Sequence, residues 1–127
     1  MNTADLMRKI YSDFEAVPPL LHPEFKLISP GNNPIAGSFD GLDGMLEHLN
    51  AMQDASGGSM NLVGHTFTGD GDWGMGVSHI TASYKGHEMD LQGLGLWQLK
   101  DGKLYRHWEA SSDPDAWDAF WTGVSEG

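Results

Sequence analysis

Four consecutive segments with a two-residue period occupy the second half of the chain: Ser59 to Thr68, Trp73 to Lys85, His87 to Lys100 and Lys103 to Ser112. Asp70-Gly71-Asp72, Lys85-Gly86 and Asp101-Gly102 separate them, and each pair has the chemistry of a tight hairpin turn. Such a run folds as an antiparallel meander, and little else fits it. Ahead of the meander the period changes to that of a helix. Asn2 or Thr3 can cap a first helix whose apolar residues are Leu6, Met7, Ile10, Tyr11 and Phe14, ended by Pro18-Pro19. A short helical turn is expected at Leu20 and Leu21, then a strand from Phe25 to Ser29, then a loop from Gly31 to Gly41. Asp40 is placed to cap a second helix, with Asp43 in an acidic capping box and Leu42, Met45, Leu46, Leu49 and Met52 as the apolar stripe. Asp113-Pro114 opens a terminal helix with Ala116, Trp117, Phe120 and Trp121 on one face. The fold class is therefore α+β, with helices on one face of a curved antiparallel sheet. A chain of 127 residues is expected to form one domain, residues 1–127.

Charge and composition narrow the function classes. Seven basic against eighteen acidic residues give a net charge of −11. Nucleic acid and anionic membranes both need clustered Lys and Arg, so neither is an expected partner. There is no Cys, hence no thiolate nucleophile and no Cys-ligated zinc. The six histidines show no metal-ligand spacing, and no nucleotide-binding loop or nucleophile elbow is present. No metal and no cofactor are expected. The N-terminal segment reads as an amphipathic helix, not a signal peptide, and a cytoplasmic protein is the default expectation.

The last strand carries the candidate chemistry. Side chains alternate across a strand, so Tyr105, His107 and Glu109 of Tyr105-Arg106-His107-Trp108-Glu109 are expected on one face. Their partners depend on the Lys100–Gly102 turn. A two-residue turn sets Glu109 opposite Leu94 and His107 opposite Leu96. A turn with a left-handed Gly102 and a bulge sets them opposite Gly93 and Gly95. The second register is preferred, because glycines beside polar side chains leave room for a ligand. Their other reading is sheet bending. In a cavity lined by Tyr11, Phe14, Trp97 and Trp117, desolvation would raise the pKa of Glu109 and suit it to acid/base work. His107 would position it or shuttle the proton. Ser29, at the end of the first strand, and His79, in the middle of its strand, are further pocket candidates, and Asp90 and His87 are expected to be exposed.

The layout resembles the nuclear-transport-factor-2-like fold, a cone-shaped sheet closed by helices. Ala36 to Gly44, the Leu99–Leu104 turn followed by His107-Trp108-Glu109, and Asp113 to Trp121 are similar to SnoaL-like polyketide cyclases in particular. That resemblance implies an acid/base carboxylate on the last strand at Glu109. The ketosteroid isomerases share the fold. Their helix tyrosine falls on Tyr11, their general base on Ser29 and their neutral acid near Gly95, so their oxyanion pair is incomplete and steroid isomerisation is not expected. The resemblance implies a small cofactor-independent enzyme acting on a hydrophobic carbonyl- or epoxide-bearing molecule, an isomerase, cyclase, dehydratase or epoxide-opening enzyme. The alternative is a non-catalytic binding or dimerisation module. The fold also implies a homodimer through one sheet face, with Trp108 as the candidate contact.

Overall fold

The computed structural model describes residues 2–126. Helix α1 (Thr3–Ser12) leads through two short 3-10 turns (Phe14–Ala16 and Pro18–Leu20) into strand β1 (Leu21–Ser29). Then come β2 (Gly37–Asp40), α2 (Gly41–Ala55), β3 (Asn61–Asp70), β4 (Trp73–Tyr84), β5 (His87–Lys100), β6 (Lys103–Ser111) and α3 (Pro114–Glu126). The six strands form one curved sheet in the order β2-β1-β6-β5-β4-β3. Helices cover one face of it, and the class is α+β as the periodicity requires. None of the described helices is long and apolar enough to cross a membrane.

Four local expectations change. The chain from Gly31 to Gly41 is not all loop: Gly37–Asp40 pairs antiparallel with β1. The first strand starts at Leu21, because Pro18 and Pro19 are used up in a 3-10 turn that ends at Leu20. One pairing in the sheet is parallel, that between β1 and β6, with Leu27 beside His107. Asp40 is the N-cap residue of α2 but makes no side-chain capping bond. Its carboxylate instead lies 3.8 Å from Lys26 Nζ across the β1–β2 pair. Helix α1 is capped as expected, with Asn2 Oδ1 accepting from the Asp5 amide at 2.8 Å.

The buried residues fall into two groups. One, around Met7, Phe25, Leu27, Met45, Trp97 and Leu104, joins α1 and α2 to β1, β5 and β6. The other, around Met52, Ile80, Leu91, Trp117 and Trp121, joins α2 and α3 to β4 and β5. The inner stripe of α2 is Met45, His48, Leu49 and Met52, at i, i+3, i+4 and i+7. Leu42 and Leu46, expected on that stripe, are both 37% exposed.

Candidate functional site

A cavity of about 290 Å³ lies between the helices and the sheet, walled by residues of both buried groups. That volume is near the lower end of the range for small-molecule sites, roughly 300 Å³. Tyr11, His107 and Glu109 border it together with Phe14, Gly93, Gly95, Trp97 and Trp117. Two residues expected there are not. His79 points to the outer face, because β4 buries Ser78 and Ile80 and the alternation sends His79 to the other side. There it meets Asp90 at 2.7 Å. Ser29 is buried beside Glu109 but is not part of the cavity wall.

The geometry of β6 rests on one extra residue. Asp101 and Gly102 have φ of 54° and 75°, a two-residue type I′ turn that pairs Lys100 with Lys103. Leu99 then pairs with Leu104, but Gln98 pairs with Arg106, so Tyr105 is bulged out of the ladder. This register is neither of the two expected. The bulge lies within β6, not in the turn, and shifts the strand in the opposite sense. Glu109 stands opposite Gly95, and His107 opposite Trp97. Leu104, His107 and Glu109 turn inward, whereas Tyr105 lies outside, under the Arg106 guanidinium and against His22. The expected single face of Tyr105, His107 and Glu109 is thus corrected.

The glycines opposite this strand do make room, and for protein groups first. A Cβ at Gly95 would overlap the Tyr11 hydroxyl and lie 2.8 Å from His107 Cε1. A Cβ at Gly76 would overlap the Tyr11 ring. Glycine at both positions lets α1 lay Tyr11 flat on the sheet. Trp97 Nε1 donates to the Tyr11 hydroxyl at 3.0 Å, leaving the phenolic proton free to donate in turn. Burial pushes the Tyr11 pKa up to about 12, against the lowering effect of the Trp97 bond, so Tyr11 acts as a neutral donor.

The partner of Glu109 comes from a helix. His48, with no exposed surface, places Nε2 2.9 Å from Glu109 Oε1. Phe39 packs against its ring, with centroids 4.7 Å apart. Its Nδ1 is buried without a partner. Burial alone would raise the Glu109 pKa. The hydrogen bond from His48, the electrostatic influence of the His48 and His107 rings, and the nearby Ser29 hydroxyl outweigh it, and the net direction is downward. The Ser29 oxygen falls short of a formed hydrogen bond. The expected raised pKa is therefore reversed: Glu109 rests as a carboxylate. His107 donates from Nδ1 to the Leu96 carbonyl at 3.1 Å and stacks on Trp97 at 3.7 Å. Burial lowers its pKa to about 4, against the raising effects of Glu109 and the Leu96 bond. Neutral, with its proton on Nδ1, it keeps Nε2 as an acceptor.

His48 was legible in principle. It occupies the inner position of a helical stripe between Met45 and Met52, where a polar residue needs a buried partner.

The fold and this arrangement of side chains meet a family assignment. The profile of the SnoaL-like domain matches residues 11–107. The chain belongs to this SnoaL-like family. No curated protein matches it. Among solved structures it is similar to Bal32a from a soil-derived mobile gene cassette, with a TM-score of 0.83 and 23% identity over 94% of this chain and 99% of that one. It is similar to TerC co-crystallised with polyporic acid, with a TM-score of 0.72 and 23% identity over 92% and 94%. A nuclear-transport-factor-2-like protein of unknown function from Burkholderia pseudomallei matches with a TM-score of 0.76 and 16% identity over 96% and 99%. At these identities the likeness is one of fold.

Proposed function

We propose that this SnoaL-like protein is a cofactor-independent enzyme that uses Glu109 as a general base on a hydrophobic small molecule carrying a carbonyl or epoxide. The observation that carries this reading is a resting carboxylate at the wall of an apolar cavity, beside a neutral phenol whose proton is unspent. Glu109 removes a proton from the carbon α to a carbonyl. The electron pair moves onto the carbonyl oxygen, where the Tyr11 hydroxyl donates a hydrogen bond to the developing charge. In a β,γ-unsaturated ketone the carbonyl then re-forms as Glu109 returns the proton to the γ-carbon, completing an isomerisation; in a β-hydroxy ketone the re-forming carbonyl breaks the β C–O bond, and the departing hydroxide takes up the proton as water. With an epoxide, the same carboxylate removes a proton from an attacking water while Tyr11 donates to the opening oxygen. His48 keeps the carboxylate ionised and oriented, and His107 offers a second acceptor. TerC, a neighbour of the same fold, was crystallised with polyporic acid, which supports a small-molecule site.

Dimerisation belongs to the same reading. Trp108 stacks on Trp73 on the outer sheet face, ring centroids 6.1 Å apart, and Trp73 is 47% exposed. That aromatic pair is the proposed centre of a homodimer contact.

The test is proton exchange. Decalone and related cyclic ketones incubated with the protein in deuterated water should gain deuterium at the α-carbon, followed by NMR. Glu109→Gln should slow exchange about 10²- to 10⁴-fold while ketone binding persists. Wild-type protein that binds such ketones without exchange, and epoxides without opening them, would leave a binding module instead.

A further inference from the structure

We propose that the cavity takes a neutral, one-headed lipophile: a single ketone, aldehyde or epoxide oxygen held at Tyr11 beside Glu109, and a plain hydrocarbon body whose far end leaves between Phe14 and Leu62. This rests on reading the cavity as the ligand site, and it names the class of ligand.

Polarity within the cavity is confined to one end. Tyr11, His107 and Glu109 gather around Gly95. The rest of the wall is carbon and sulfur, including Met45, Met52, Met60 and Ile80. Ser78 and Trp117 also border the cavity, but Ser78 Oγ and Trp117 Nε1 are both buried and without partners, closed off from its surface. A ligand oxygen set along the body would meet no exposed side-chain donor there and would lose its water without replacement. Three unbranched thioether side chains suit a hydrocarbon of adjustable shape.

Charge sets the nature of the head. No Lys or Arg borders the cavity, and Glu109 does. An anionic head would be repelled with nothing to compensate it. A protonated amine would pair with Glu109 but has no lone pair to accept the Tyr11 proton, and would leave that donor unused. A neutral oxygen takes the Tyr11 proton and adds no second charge beside the Glu109 carboxylate.

The far end is set by the rim. Phe14 and Leu62 both line the cavity, yet they are 47% and 45% exposed, so the apolar wall runs out to the surface between the turn after α1 and strand β3. About 290 Å³ is little room, and a longer ligand must project there.

Cyclohexyl alkyl ketones from methyl to octyl, titrated by tryptophan fluorescence, test this directly. Affinity should rise about fourfold per buried methylene and level off once the tail passes the rim. A carboxylate at the tail's end should abolish binding on a short tail, where it is held inside, and be tolerated on the octyl tail, where it reaches water. Phe14→Ala should weaken the octyl ketone about fivefold or more and leave the methyl ketone unchanged. Affinity independent of tail length, equal binding of the short carboxylate, or no binding along the series overturns the proposal. Graded binding by a protein that performs no proton exchange supports the ligand class and removes only the catalytic reading.

Discussion

Two histidine–carboxylate pairs lie on opposite faces of one sheet, at almost the same separation. His48 and Glu109 are 2.9 Å apart, with side chains 0% and 19% exposed. His79 and Asp90 are 2.7 Å apart, with side chains 47% and 76% exposed. The outer pair exchanges water for a partner at little gain, since exposed ion pairs are worth about 0–1 kcal/mol. The inner pair cannot return to water, so each member depends on the other. Distance alone does not distinguish a surface pair from one at a cavity wall. Burial does, and here it also fixes which carboxylate is poised beside a cavity.

The sharpest way to break the comparison is to delete one histidine from each pair. His48→Ala should cost about 3 kcal/mol by urea denaturation, because a buried carboxylate loses its partner. His79→Ala should cost less than about 0.5 kcal/mol. Equal losses would mean that the inner pair is as hydrated as the outer. His48→Ala should also move the acid limb of the rate profile to higher pH, since burial then acts on Glu109 with less to oppose it. A merely structural loss would lower stability without moving that limb.

Much of this architecture was legible. Alternation and turn chemistry in Ser59 to Ser112 fix three hairpins, and the stripe Leu6, Met7, Ile10, Tyr11 fixes the helix that delivers the phenol. The register of β6 was not legible. Nothing in Leu104-Tyr105-Arg106 marks a bulge, which is favoured because it buries Leu104 and His107 together and leaves Tyr105 to stack outside on Arg106. At His48 the need for a buried partner was legible but not which one: the contact joins α2 to β6 across the fold, and local spacing carries no information about such a pair. His79 was misplaced because a polar residue flanked by apolar ones reads the same from either face of a strand.

Acid sharpens the comparison next. His107 takes up a proton at 6.5 when unfolded but only near 4 when folded. Below 6.5 the unfolded chain therefore binds more protons, and stability falls as pH drops towards 4, by roughly 3 kcal/mol in all. His107→Gln should flatten that slope in thermal melts between these limits. Glu109 acts in the same direction further down: its lowered pKa contributes stability above the ordinary carboxylate value, lost as pH falls through the folded one.

The smallest effects should appear on the outer face. Asp90→Asn should change stability by less than about 0.5 kcal/mol at low ionic strength, and that difference should vanish in 1 M salt. On the proposed dimer, Trp108→Glu should leave the chain folded and shift sedimentation from dimer to monomer; unchanged sedimentation would remove that role for the outer aromatics.

The parallel pairing of β1 with β6 has a consequence in time. Hairpins β3–β4, β4–β5 and β5–β6 join neighbours in sequence and can form early, whereas Leu27 must find His107 across most of the chain. Until that encounter Glu109 rides on a free hairpin, hydrated and ordinary, with Ser29, His48 and Tyr11 elsewhere. The surroundings of the proposed base therefore depend on the one pairing that joins the two ends of the chain, and a chain lacking it keeps most of its strands without that site.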